Sequence, residues 1–435
     1  MGMSRNPCIL IIPLASIAID RTEVDKLWVD ICNKLSEYSR GINLIFFEPI
    51  IDERNLSSMI NKIDTILKNC NGLILLHLTG GTSKLAIEIL TNISNIRPFA
   101  LFAHNLLNSL TSALNTRERL SQLLATEIYI PIIYQNYDLR TIIKMLYVAD
   151  QALTKHDVLF FGPPVGIKIP INFRLIRGAR LTSILEKAED DEIQETLKSL
   201  ENTIKIDYKG TEAEAKAISL YINLKRVIQN FFSKRKYEQF PLVCIECYYF
   251  MVKYKVAPCL AVSLLLRENI LVACQRDVYS LYGMLILRLL TGNPVWNADL
   301  SAIDTEDNVA IFSHSCVNPL LGEEGGEAVY HPLTNLPYSM KIDRYKGGRV
   351  TIVSLDTLKE ELHPFLGEIL DYKIAQNKLE TNQVAIKLLS KRVSELLEKT
   401  QRGHFLIVHG DWVKEINELS KILKQAKIIM MLKGM

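Results

Sequence analysis

Five short apolar runs mark the first 134 residues: CILIIPLA (8–15), INLIFFEP (42–49), GLILLHL (72–78), RPFALFA (97–103) and IYIPIIY (128–134). Between them, RTEVDKLWVDICNKLSEYS (21–39), RNLSSMINKIDTILKN (54–69) and TSKLAIEILTNIS (82–94) repeat apolar residues every three or four positions. That spacing paints one face of a helix, whereas a run that is apolar on both faces reads as a strand covered by helices on each side. Strict alternation of the two patterns leaves few folds open, because parallel strands need crossover connections. It points to an open, doubly wound sheet. A first α/β domain is expected over residues 1–135.

The alternation resumes with DVLFFGPP (157–164), PLVCIEC (241–247), NILVACQ (269–275) and NVAIFSH (308–314), and gives a second α/β domain over 136–315. It then changes. Residues 328–355, AVYHPLTNLPYSMKIDRYKGGRVTIVSL, alternate in period two around Gly347-Gly348, and HFLIVHGDW (404–412) adds another strand before a last helix at 416–428. Such a region reads as antiparallel. The expected class is therefore α/β, with two open doubly wound parallel-sheet domains followed by a smaller β-rich C-terminal domain over 316–435.

A chain of 435 residues is too long for one hydrophobic core. Lys and Arg number 51 against 48 Asp and Glu, a net charge of +3, which lacks the concentrated excess of one sign that a nucleic-acid or membrane partner requires. No window reaches the roughly 18 uninterrupted apolar residues of a membrane span. The first apolar run is preceded by Arg5 alone and followed by an acidic helix, so no signal peptide is expected and the chain reads as cytoplasmic. Eight cysteines are too sparse for a disulfide framework and read as reduced, buried residues. Cys244 and Cys247 have C-x-x-C spacing, but residues three apart on a strand point to opposite faces, which argues against a zinc knuckle there. High Ile and Lys with few Gln fits a thermophile's composition.

Ligands of an open α/β sheet gather beyond the carboxyl ends of its strands. Thr79-Gly80-Gly81-Thr82 follows one strand, and its backbone amides could hold a phosphate or a sugar hydroxyl, or simply cap the next helix. Gln275 and Asp277 stand at a second strand-to-helix junction, where Asp is also a favoured helix cap. Glu246 is an acid within an apolar strand and needs a partner if buried. His404 and His409 bound a strand and face opposite ways, and His314 ends another. Two carboxylates and an imidazole would suit Mn²⁺ or Mg²⁺. Such an ion can polarise a carbonyl and its neighbouring hydroxyl while a carboxylate moves a proton between the two carbons.

These segments, in order, carry a resemblance. VCIEC, APCLAVSLLLRENI, ACQRDVYSLYGMLILRLLTGNPVW, IFSHSCVNP, KGGRVTIVSL and GHFLIVHGDW resemble, from Val243 onward, the L-fucose isomerase and L-arabinose isomerase superfamily, and LLHLTGGTS and AHNLLNSLTSALNTRERL resemble its first domain. The resemblance implies three domains, a trimer or hexamer with active sites between subunits, a small sugar substrate, and a divalent metal, usually manganese. It implies aldose–ketose isomerisation of a fucose- or arabinose-like sugar through an ene-diol. Carried over by position, the metal ligands fall on Asp277 and His404, with Glu246 as the nearest candidate for the third. Glu246 and Asp277 take the catalytic roles, and Gln275, His314 and Thr79, Gly80, Gly81 and Thr82 lie toward substrate. Two departures stand out. Gln275 replaces an acid of the family's C-E-x-D segment, and Cys247-Tyr248-Tyr249-Phe250 lacks the acid the family places after its Cys. They leave a second reading open, a non-catalytic sugar-binding or regulatory homologue, and a third, in which Cys274 or Cys316 acts as a nucleophile beside His314.

Overall fold

The computed structural model describes residues 6–38, 40–51, 56–127, 129–134, 139–163, 170, 172–177, 181–233, 240–357, 359, 361–370, 380–400 and 402–432. Positions 39, 54, 55, 128 and 164 of the expected elements lie outside them. The chain forms two compact units, Met1–Thr154 with Glu418–Met435, and Lys155–Asn417.

In the first unit the five apolar runs become β1 (Cys8–Leu14), β2 (Asn43–Phe46), β3 (Gly72–His77), β4 (Phe99–Ala103) and β5 (Ile132–Tyr134). They form one parallel sheet in the order β2-β1-β3-β4-β5. β3 and β4 are buried throughout, as strands covered on both faces must be. The unit runs past the expected boundary at 135, because helix Leu139–Leu153 packs on β3 and β4. Asp150 on that helix accepts from Asn71 and Arg97 at 2.8 and 2.9 Å.

The second unit opens with β6 (His156–Phe161), β7 (Phe173–Arg177), β8 (Ile204–Ile206), β9 (Leu242–Ile245) and β10 (Leu271–Ala273). Four of these make a second parallel sheet, β10-β9-β6-β7. The remaining strands are β11 (Val295–Asp304), β12 (Val309–His314), β13 (Gly326–Val329), β14 (Ser339–Lys341), β15 (Gly348–Asp356), β16 (Glu361–Ile369), β17 (Asn382–Leu388) and β18 (His404–His409). β8, β13 and β14 form a small sheet, and the other six close an antiparallel barrel in the order β11-β12-β17-β16-β15-β18. The fold is thus α/β with a β-rich C-terminal region, as the sequence pattern implies. The barrel, however, starts at Val295 and takes in 295–314, which the sequence grouped with the second α/β domain. An apolar run such as NVAIFSH carries no mark of the direction in which it pairs, and here it pairs antiparallel with β11 and β17.

Closure removes the unpaired edges that an open antiparallel sheet would expose. Phe312, Phe365 and Phe405 are fully buried in the barrel, with the rings of Phe312 and Phe405 5.6 Å apart edge to face. Helix Val278–Thr291 joins the two architectures. It leaves the end of β10, stops at Gly292 in the left-handed region (φ 74°), and hands the chain to β11. The carboxyl end of the parallel sheet therefore opens onto the barrel strands β11, β12 and β18.

Candidate functional site

β10 ends at Ala273, and the next turn carries two successive non-glycine residues in the left-handed region, Gln275 (φ 55°) and Arg276 (φ 61°). Each such residue costs on the order of 1–3 kcal/mol. The turn delivers Asp277 to the N-cap of helix Val278–Thr291, where its Oδ1 accepts from the Ser280 amide at 2.8 Å and its Oδ2 from the Ser280 hydroxyl at 2.5 Å. The cap expected of Asp277 is real, and the same carboxylate does more. Oδ2 lies 2.5 Å from His404 Nδ1, and Oδ1 lies 2.5 Å from the Arg402 guanidinium. Burial pushes the Asp277 carboxyl up, but the His404 ring, the Arg402 cation and Ser280 outweigh it, and its pKa lies below the ordinary value.

His404 opens β18 directly opposite Asp299 on β11. Its Nε2 is 3.2 Å from Asp299 Oδ1 without the alignment of a hydrogen bond, so this buried nitrogen has no hydrogen-bond partner. Burial lowers the His404 pKa and the Asp277 and Asp299 carboxylates raise it, with a net rise. Asp299 is shifted up, chiefly by burial against the pull of His404 and His314. His314, at the end of β12, places its ring 5.8 Å from that of His404. The ligating atoms of Asp299, His314 and His404 lie within 4.8 Å of one another. His314 Nδ1 accepts the Cys316 amide at 3.0 Å, which leaves the ring proton on Nε2, 3.4 Å from Cys274 Sγ.

Of the residues singled out in the sequence, the structure brings Asp277, His404 and His314 to one place. Glu246 sits at the end of the neighbouring strand β9, buried, and forms an ion pair with Arg276. Gln275 is exposed. Thr79, Gly80, Gly81 and Thr82 belong to the first unit, where their turn is largely closed on itself. Thr79 Oγ1 accepts the Ser16 amide at 2.7 Å, the Gly80 amide donates to Leu107 O, and the Thr82 amide to Ser112 Oγ at 3.2 Å. His409 faces away from His404 and lines a different part of the barrel with Trp296 and Val350. Asp299 escaped the sequence reading. The signal that drew attention to Glu246, an acid inside an apolar strand, holds equally for Asp299 in VWNADLSAI.

The donor set decides how a divalent ion could sit here. Glu246 and Asp277 are each neutralised by an arginine, and both Asp277 oxygens are already engaged. A cation in contact with them would face a guanidinium. Asp299 and the unpartnered His404 Nε2 do fit such an ion, with Asp277 holding the opposite ring nitrogen. Carboxylate–histidine–metal chains have this arrangement.

No family model matches the chain. It is similar to the sulfoquinovose isomerase of Alkalicoccus urumqiensis, 28% identical over 193 residues that make up 42% of this chain and 43% of that protein. The sulfoquinovose isomerases of Priestia aryabhattai and Priestia megaterium are each 27% identical over 187 residues, 38% of this chain and 39% of theirs. The chain thus spans less than half the length of the curated relatives it matches. These distant relatives agree with the resemblance to the L-fucose and L-arabinose isomerase superfamily, and over the matched stretch the chain is sugar isomerase-like. A solute-binding protein of an ABC transporter from Burkholderia multivorans aligns with 66% of this chain and 95% of its own at 10% identity, but its TM-score of 0.20 carries no argument.

Proposed function

We propose that this chain is an aldose–ketose isomerase working through an ene-diol, with its site where β10, β11 and β18 meet. One observation carries the reading: His404 keeps Nε2 buried and unpartnered beside Asp299, while Asp277 fixes its Nδ1. Asp299 and His404 would hold a divalent ion such as Mn²⁺, which when bound polarises a sugar carbonyl and the adjoining hydroxyl. Asp277 is a positioning residue that keeps the Nδ1 proton in place and leaves the Nε2 lone pair for the ion. Glu246, paired with Arg276, is the base we assign to carry the proton between the two carbons. His314 presents its Nε2 proton and orients rather than ligates. Thr79, Gly80, Gly81 and Thr82 belong to a substrate subsite completed by a neighbouring copy in a trimer or hexamer, and the protein works in the cytoplasm.

For the substrate, the named activity of the relatives and the guanidinium groups of Arg276 and Arg402 favour a sulfonated sugar over a neutral fucose- or arabinose-like one. The second reading, a sugar-binding homologue without turnover, draws on Gln275 standing where the family has an acid.

Manganese calorimetry on metal-stripped protein, followed by an isomerisation screen of sulfonated and neutral aldoses, tests both readings. Binding should vanish in Asp299→Ala and His404→Ala. Glu246→Gln should retain the metal and lose turnover by about 10²–10⁴-fold. Manganese binding that survives His404→Ala overturns the site, and sugar binding without turnover in the parent chain selects the second reading.

A further inference from the structure

Helix Ser109–Leu123 and the last helix, Val413–Leu432, line a common cavity within the first unit. Leu114, Arg117, Glu118 and Ser121 on the one, and Lys421, Lys424, Gln425 and Ile428 on the other, recur at helical spacing, so each set lies along a single helix face. Tyr129 also lines it, with the Lys421 ammonium 5.0 Å from the centre of its ring. The cavity measures about 1080 Å³, at the top of the range for small-molecule sites. The isomerase chemistry proposed above uses none of these residues.

Gln425 is the anomaly in this lining. It is 1% exposed, and neither its Oε1 nor its Nε2 has a hydrogen-bond partner among the described residues. A leucine or methionine would fill the same helix position with no polar group to satisfy, and buried polar groups in native proteins are almost always paired. An amide kept there in spite of its cost points to a partner from outside the chain. The charges nearby indicate what else that partner carries. Three cations, Arg117, Lys421 and Lys424, line the cavity with two acids, Glu118 and Glu127, and Glu118 already accepts from Gln122 Nε2 at 3.3 Å. Neither Arg117 nor Lys421 forms an ion pair with a described residue. Leu114, Ile428 and the Tyr129 ring add apolar surface for the body of a ligand.

We propose that this cavity binds a small organic phosphate, with the Gln425 amide swung into it to read the ligand's body and Arg117 and Lys421 holding its anion. An amide offers a donor beside an acceptor. Its complement is an acceptor beside a donor, as on the ring nitrogen and exocyclic amine of adenine or on neighbouring hydroxyls of a sugar. Binding supplies the two hydrogen bonds that the buried amide lacks. Arginine recognises phosphate with a two-pronged fork and lysine as a point charge, so the pair suits a phosphate monoester. A nucleotide and a sugar phosphate share this chemistry, and the experiment separates them. The proposal does not depend on the isomerase reading, because Asp299 and His404 belong to the second unit and no residue is common to the two sites.

Calorimetry on the full chain, with AMP, GMP, glucose 6-phosphate and inorganic phosphate as probes, tests the assignment. AMP or the hexose phosphate should bind at a single site per chain, roughly tenfold tighter than inorganic phosphate. A roughly tenfold preference for AMP over GMP identifies a nucleotide site, since guanine presents two acceptors where adenine has an acceptor and a donor. A preference for the hexose phosphate over both identifies a sugar phosphate site. Gln425→Leu should weaken the favoured ligand roughly tenfold and leave inorganic phosphate unchanged, whereas Arg117→Ala and Lys421→Ala should weaken both. Asp299→Ala should bind as the parent chain does. Gln425→Leu should also raise the urea midpoint of the unliganded chain, because it removes an unpaired buried amide. Organic phosphates that bind no tighter than inorganic phosphate, affinity that survives Gln425→Leu, or a lowered urea midpoint in that variant overturns the proposal.

Discussion

Asp277 shows how much a single carboxylate can organise: it caps its own helix, and it meets an imidazole and a guanidinium, His404 and Arg402, from the segment that opens β18. Asp277→Asn preserves a good cap but removes the charge on which His404 and Arg402 depend. It should cost roughly 1.5–3 kcal/mol in urea unfolding, the range for a hydrogen bond to a charged group, and weaken manganese binding by about 10–100-fold. An unchanged affinity would mean that Asp277 does not orient the ring. Glu214 is a second buried acid with a legible role. It forms a capping box with Thr211 and accepts the Lys209 amide and the Tyr330 hydroxyl. Burial raises its pKa, and hydrogen bonds from Thr211, Tyr338 and the Lys209 amide outweigh burial and hold it below the ordinary value. A depressed folded pKa stabilises above the unfolded value and loses that contribution as pH falls through the folded one. Glu214→Gln should therefore flatten the loss of stability on acidification below about pH 4.5, the usual carboxylate range, seen as a smaller shift of the urea midpoint with pH.

At the scale of elements, the turn before β13 allows little variation. Gly325 has φ +88°, and a Cβ there would meet the backbone of Thr203. The next residue, Gly326, pairs in register with Ile204 on β8. Gly325→Ala should cost at least the order of 1–3 kcal/mol of a left-handed non-glycine residue and open the β8–β13 pairing, read as faster amide exchange at 204–206. Barrel packing is tested by Phe405→Ala, which removes a fully buried ring facing Phe312 and should cost about 3–5 kcal/mol. A loss below 1 kcal/mol would show that the barrel core collapses around the gap.

The whole molecule adds a constraint that no single element reveals, since residues 418–435 return to a unit whose other residues end at Thr154. Leu419, Ile422 and Leu423 on that last helix are buried. A chain ending at Asn417 should expose the first unit to limited proteolysis within 1–154 while 155–417 stays resistant, and equal resistance in both chains would refute the assignment. The parallel sheets, their helices and the β-rich end are legible in the sequence, because strand and helix periods are local properties of consecutive side chains. Asp277, His404 and His314 are legible too, as polar residues at the ends of apolar runs. What tertiary structure alone decided is which of these groups meet. Antiparallel pairing of β11 with β18 set Asp299 opposite His404, the turn after β10 gave Glu246 to Arg276, and Cys274, His314 and Cys316, from the ends of β10 and β12, came within 4.8 Å of one another. Each of these depends on strand direction, register and turn geometry, which are fixed by cooperative packing and closure of the barrel rather than by any local pattern.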